Sequence, residues 1–352
     1  MKKITSIFVF LLFAFSLSAM QQTTLEHSNL EQRVQKLEEQ SQIDMQTYDY
    51  LSSYAANCYI SVDALIWAAD NYGWASFVEP EDDGIVNDFH HRKLDFDPGL
   101  RLGFGVKTCY DWDLFLQWTH FHSSISDHET DDITGLASPF FPYVCYDFKT
   151  KFKIKYDMLD LEIGRPFNAA KTFVLKTHIG LRTGWIKQRG INRAENVVAP
   201  EDGETTPGEN QYRNKMWVIG PRIGLNADYY FGTTGLSFYG MLTGALLYAN
   251  PDISITSYTT NETTGAWELN YYATSKNKEL KSTIQAAFGL AWGDFITEDK
   301  DVALTLRVGW EGNYWWNMYD TLLVWQQPVP EFYDVNEPLV MQGVTINARI
   351  DF

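Results

Sequence analysis

The chain has 352 residues, and 45 acidic against 28 basic side chains leave a net charge of −17 at pH 7, which argues against a nucleic-acid binder that relies on phosphate contacts. Aromatic residues at 15% beside 24 glycines suit a barrel with an apolar outside, a polar lumen and aromatic belts. The length admits one large or two ordinary domains and excludes little else.

Lys2 and Lys3 precede an apolar run from Ile7 to Leu17, followed by small residues at Ser18 and Ala19. A charged start, a short greasy centre and a small-residue exit predict a secretory signal peptide over residues 1–19. The run is shorter than the roughly 20 residues of a spanning helix, and no later run approaches that length, so a membrane protein built from this chain must cross as a barrel. No cysteine follows the cleavage region, so no lipoprotein attachment is expected. In the next segment, Leu30, Val34, Leu37 and Ser41 fall at helical spacing among Glu, Gln, Arg and Lys. Residues 20–56 are therefore expected to form a short periplasmic amphipathic helix, either a stalk for a homo-oligomer or a solvated spacer.

Residues 57–352 change character to a period of two, in ten stretches: 58–68, 99–108, 111–121, 151–164, 172–186, 216–230, 236–248, 280–293, 302–311 and 339–352. The second sets Leu100, Leu102, Phe104 and Val106 against Arg101, Gly103, Gly105 and Lys107. In the fourth the pattern changes phase near Met158 and Leu159, which predicts a bulge. The seventh is apolar or small on both faces. Connections after even-numbered strands are short, while those after odd-numbered strands run to about 25 to 30 residues and are rich in Asp, Glu, Asn and Pro. That asymmetry predicts an all-β transmembrane antiparallel barrel of about ten strands, with periplasmic turns, extracellular loops and both barrel ends in the periplasm of a Gram-negative bacterium. Twelve strands result if 253–258 and 267–272 join the wall as a further hairpin. The last strand ends on Ile350 and Phe352, which looks like the signal read by the barrel-assembly machinery. Trp112, Phe173, Tyr229, Trp292 and Phe352 are expected to form the periplasmic aromatic belt, and Trp118, Trp185, Trp217, Tyr248 and Trp310 the outer one.

The stretches Tyr59-Ile-Ser-Val-Asp-Ala-Leu-Ile-Trp67, Pro98-Gly-Leu-Arg-Leu-Gly103, Asp111-Trp-Asp-Leu-Phe-Leu-Gln-Trp118, Tyr156-Asp-Met-Leu-Asp-Leu-Glu-Ile-Gly164 and Gly180-Leu-Arg182 resemble the pore-forming major-outer-membrane-protein-like family of intracellular Gram-negative bacteria, the legionella and chlamydia type. The resemblance spans most of the chain after the helix and implies an outer-membrane barrel regarded as a pore. With three cysteines, Cys58, Cys109 and Cys145, the chain departs from the cysteine-rich chlamydial proteins and from their disulfide-cross-linked envelope. A Cys58–Cys109 bond and free or intermolecular thiols remain alternatives.

Alternation forces Asp63, Arg101, Lys107, Asp113, Glu162, Arg182, Arg222, Asp228, Arg307, Glu311 and Arg349 inward, because a charge facing mid-membrane lipid costs about 2 to 4 kcal/mol. They are expected to line a porin-like channel for passive diffusion of ions and small solutes. The alternative is a structural or adhesin barrel whose lumen they plug, since barrels near eight strands fill with side chains and open channels have about 16. The acidic loops at 79–83, 127–132 and 201–209 are expected to be solvated, the alternatives being divalent-cation bridging to lipopolysaccharide or capture of a basic partner. None has EF-hand spacing, so no metal site is expected. His90, His91, His120, His122 and His128 leave a loop hydrolase as the rival of a different class. Without G-x-S-x-G or H-E-x-x-H, the chain is not expected to be an enzyme or to hold a cofactor.

Overall fold

The computed structural model describes residues 58–71, 76–80, 86–91, 95–108, 112–130, 136–138, 141–170, 172–198, 207–232, 234–261, 264–297, 299, 301–326 and 330–352. The signal peptide and the amphipathic helix expected from the sequence lie outside these residues. Ten long strands form the wall: β1 Cys58–Asn71, β2 Asp97–Lys107, β3 Asp113–Thr130, β4 Phe141–Ala170, β5 Phe173–Val198, β6 Gly208–Tyr230, β7 Leu236–Thr260, β8 Glu279–Phe295, β9 Ala303–Gln326 and β10 Pro330–Asp351. Each pairs antiparallel with its neighbours in the chain. β10 returns to β1 in the register Tyr59↔Asp351 through Asn71↔Leu339, which closes the ring and leaves no barrel edge. At the seam the Phe352 N–H donates to the Cys58 carbonyl at 2.9 Å.

The connections at one end are tight. Between β6 and β7 the Phe231 N–H donates to the Leu236 carbonyl at 2.9 Å, and Gly232 and Gly235 supply the positive φ of the turn, 59° and 72°. At the other end the strands run well beyond the lengths expected from alternation, so much of each long connection is wall rather than loop. The hairpin considered as two more wall strands exists, since 267–275 pairs with β7 from Ile253↔Ser275 to Thr260↔Trp267. It does not enter the ring: β7 pairs with β8 up to Ala249↔Glu279, and 267–275 sits above β8 on the same side of β7. Shorter strands at 76–80, 86–91 and 136–138 add to this long-loop end.

The bulge expected near Met158 and Leu159 is absent, because β4 pairs with β3 and β5 in unbroken register across those residues. What changes there is the environment. Phe152, Ile154, Tyr156 and Met158 point inward and are buried, and so do Asp160 and Glu162. Outward, exposed Lys151, Lys153 and Lys155 give way to Leu159, Leu161 and Ile163. Backbone parity is constant while polarity swaps sides.

The same swap occurs on β5 and β6. Trp185 and Trp217 stand opposite each other, with Leu181 and Ile219 outward on the turn side and Lys187 and Lys215 outward on the loop side. Trp217 and Tyr229 lie twelve residues apart on one face of β6, about 40 Å along the strand and about 28 Å in height at a tilt near 45°, matching the hydrocarbon core. Trp112, Tyr229, Trp292 and Phe352 at the turn end, and Trp118, Trp185, Tyr248 and Trp310 at the other boundary, are exposed on the outer wall. The barrel thus spans the membrane in its turn-side half. Its loop-side half is packed by Leu65, Trp67, Phe121, Tyr156, Tyr212 and Trp315, with buried amides and hydroxyls such as Gln188, Asn214 and the Thr150–Asn192 pair among them.

Two substitutions test this division. Leu181→Arg on the lipid face should destabilise the barrel by about 2–4 kcal/mol. Phe121→Ala, inside the loop-side half, should cost about 3–5 kcal/mol by leaving a cavity. Both are read by reversible unfolding in denaturant from detergent micelles.

Candidate functional site

In the membrane-spanning half, alternation turns polar side chains inward, and a ten-stranded wall brings opposite sides within bonding distance. All eleven charged residues singled out from the sequence point into the barrel, in two layers.

The layer midway along the bore is dry. Arg101 on β2 donates to both oxygens of Glu311 on β9 at 3.0 and 2.7 Å, to Asp63 on β1 at 3.1 Å and to Thr119 on β3 at 3.1 Å. Its guanidinium also faces the Trp67 ring, 5.3 Å from the centroid. Arg182 on β5 grips Asp160 on β4 through two bonds of 2.7 and 2.9 Å. Arg222 on β6 donates to the same carboxylate and lies 3.0 Å from Glu162. Gln285 on β8 joins the two clusters: its Oε1 accepts from Arg182 at 2.9 Å and its Nε2 donates to Glu311 at 2.7 Å. Asn313 and Thr345 complete the shell of Glu311 at 3.2 and 3.1 Å, and Asn347 donates to Asp63. Three guanidiniums therefore face four carboxylates, with the His178 ring 3.7 Å from Glu162. Side chains this deep are tolerable only because each of these charges faces an opposite one at close range.

The layer nearer the short turns is wetter. Tyr59 donates to Asp113 at 2.8 Å, and Lys176 bonds the same carboxylate. Arg307 meets Asp228 at 3.2 Å, Arg349 meets Asp351 at 2.9 Å, and Lys107 lies 3.5 Å from Asp351. The side chains of Lys107, Arg307 and Arg349 keep 24, 32 and 24% of their surface exposed, so this layer is a solvated vestibule. A cavity of about 140 Å³ lies among Tyr59, Asp63, Lys176, His178 and Arg307 and has room for a few waters. Gly105 shapes it: a Cβ there would come within 2.0 Å of the Tyr59 ring, which lies flat on the wall with the Arg349 guanidinium 3.5 Å from its centroid.

Asp160, Gln285, His178 and Lys176 were not singled out. Asp160 sits two residues before Glu162 on one face, so the signal was present in the alternation. Gln285 is uncharged, and only the structure shows it bridging strands β5 and β9. Ile350 and Phe352 lie exposed on the outer wall beside the seam.

The histidines are strand residues rather than loop residues. His120 on β3 faces outward, its Nδ1 2.6 Å from Asp157, and stacks on Trp118. His122 Nδ1 lies 2.9 Å from the Ile154 carbonyl oxygen, and His128 Nε2 lies 2.9 Å from Asp147. The side chains of His90 and His91 lie outside the described residues. Cys58 is a free thiol, while Cys109 and the side chain of Cys145 also lie outside them.

Comparison with known proteins places this geometry. The family described as Legionella pneumophila major outer membrane protein precursor matches residues 52–352. No curated protein matches the chain. Among solved structures, the chain is similar to the outer membrane protease OmpT of Escherichia coli (10% identity, TM-score 0.39, covering 86% of this chain and 97% of that one). It is also similar to a major outer membrane protein from Thermus thermophilus (13% identity, TM-score 0.28, 84 and 99% covered) and to a FadL homologue of Pseudomonas aeruginosa (8% identity, TM-score 0.26, 84 and 89% covered).

Asp160→Ala strands Arg182 and Arg222 in the dry layer and should cost about 3–5 kcal/mol of unfolding free energy. Asp252→Ala, which removes only an exposed pair with Lys276, should stay within about 0.5 kcal/mol of the parent in the same denaturant titration.

Proposed function

The chain belongs to the family of the Legionella pneumophila major outer membrane protein precursor, and on that footing we propose that it is a closed outer-membrane barrel. In this reading it is a structural scaffold that carries an extended wall and acidic loops at its long-loop end and leaves no standing path for solute. One observation carries this: two barriers lie in series along one bore. The Asp63–Arg101–Glu311–Gln285–Arg182–Asp160 network crosses it, and the side chains of Trp67, Phe121, Tyr156 and Trp315 pack it on the loop side. An ion would have to break buried bidentate pairs and then cross a closely packed, largely apolar interior, and both steps are costly.

The long-loop end faces the outside in this reading, as short turns face the periplasm in barrels of this kind. In this reading the acidic stretches 79–83 and 201–209 of the sequence belong to the cell-surface connections, where a basic partner or divalent cations would meet them.

The solvated vestibule favours a second reading. Lys107, Lys176, Arg307 and Arg349 set a cationic lining at the short-turn end, as an anion-attracting channel would require. The network would then be a gate that opens. Hydrolysis draws less support, since the His120–Asp157 pair faces outward at the level of Trp118, where lipid headgroups rather than an enclosed cleft surround it.

Planar-bilayer recording of the refolded full chain separates the two readings. The closed barrel predicts a silent baseline at neutral pH. Steady unitary conductance from the unmodified protein would establish the channel instead.

A further inference from the structure

The outer wall carries a feature that neither barrier explains. Just to the loop side of Trp185 and Trp217, six exposed cations stand in two rows across three adjacent strands. Lys155 on β4 is opposite Lys187 on β5, which is opposite Lys215 on β6; two residues further along, Lys153, Arg189 and Arg213 repeat the pattern. Like charges placed directly opposite each other repel, and a wall that only needed solubility would mix signs. This one does not, although the whole chain is acidic at −17. The carboxylates at the margins are engaged elsewhere, Asp157 with His120 at 2.6 Å and Asp252 with Lys276 at 3.3 Å. Among the described residues none of the six cations has a carboxylate partner within salt-bridge distance.

On the same strands, to the membrane side of the tryptophans, lies a groove of about 730 Å³. Leu161, Ile163, Ile179, Leu181, Ile223 and Leu246 line it. Leu181 and Lys187 are six residues apart on one face of β5, roughly 20 Å along the strand. An apolar groove below an interfacial tryptophan pair, with an unneutralised cation array above it, matches a lipid in three parts: acyl chains, glycerol or sugar depth, and anionic headgroup.

We propose that the outer face of β4–β6 binds a phosphorylated lipid of the leaflet at the long-loop end, its phosphates on the Lys155–Lys187–Lys215 and Lys153–Arg189–Arg213 rows and its chains in the groove. The array is about 10 Å wide and about 7 Å tall from strand spacing and residue rise, which suits a headgroup carrying two phosphates better than one. Arginine forks in the upper row bind phosphate oxygens in pairs, and the lysines act as point charges beneath them. The site uses only the outer wall, so it stands whether the lumen is closed or conducting.

The test is retention of diphosphoryl lipid A by the full-length barrel after detergent washing, read by phosphorus assay and native mass spectrometry. The parent should keep a stoichiometric amount, and K155Q/K187Q/K215Q should keep at least about ten-fold less, since each surface cation lost weakens the attraction to an anionic lipid. R189Q/R213Q should show the same loss, which keeps the test open if the triple variant does not fold. K278Q beside the nearby hairpin, away from both rows, should behave as the parent. Dephosphorylated lipid A should not be retained, and excess inorganic phosphate should not displace bound lipid. Equal retention by the parent and both row variants, no retention by the parent, or displacement by inorganic phosphate alone would overturn the proposal.

Discussion

In hydrocarbon, every backbone N–H and C=O must find a partner within the protein, and a sheet meets that demand only by closing on itself. Here the β1–β10 seam, thirteen consecutive residue pairs from Tyr59↔Asp351 to Asn71↔Leu339, is where the demand is met. Once the ring is closed with ten strands, two consequences follow. Side chains alternate between lipid and bore, and the bore is too narrow for the inward ones to avoid each other.

The inward charges therefore cannot remain a simple lining. Arg101, Arg182 and Arg222 come from three different strands, yet each lies within bonding distance of a carboxylate from another strand, and Gln285 ties the pairs into one network. Such a layer is no more stabilising than well-packed apolar residues, because desolvating the ions offsets most of their attraction. Large apolar side chains do dominate the bore on the loop side, from Leu65 and Trp67 upward, with uncharged polar groups such as Gln188 and Asn192 among them. The switch occurs at the level of Trp185 and Trp217, where the outside changes from lipid to water. The wall needs one apolar face in each half, outward toward lipid and inward where water surrounds it, and the polar residues occupy what is left.

This inversion explains what the sequence made legible and what it hid. Where the outside is lipid, as along Leu100, Leu102 and Phe104 on β2, the apolar stripe marks the exterior, and strand identity, parity and all eleven inward charges can be read from period two alone. Past the boundary the same parity carries the opposite polarity. Along 151–158 on β4 this mimics a phase change and suggests a bulge, although the register is continuous. For the same reason alternation ends the strands early, and it places His120 and His122 near loops when they extend β3. Partner choice is not legible at all: alternation shows that Asp160 and Gln285 face inward, but only the shear of the closed ring decides which strands they meet.

The outer surface obeys the same rule with one exception. Most of its loop-side half mixes charges as a soluble sheet does, whereas β4–β6 present two rows of three cations just above the membrane boundary. A single-cysteine scan along β5 from Ile179 to Ile191, read by quenching from lipid-borne and water-soluble quenchers, tests the inversion most directly. The account predicts lipid contact at 179 and 181, water contact at 187 and 189, and neither at the inward positions 182, 186 and 188. Water-soluble quencher reaching 182 or 186, or lipid contact continuing unchanged past 185, would contradict it.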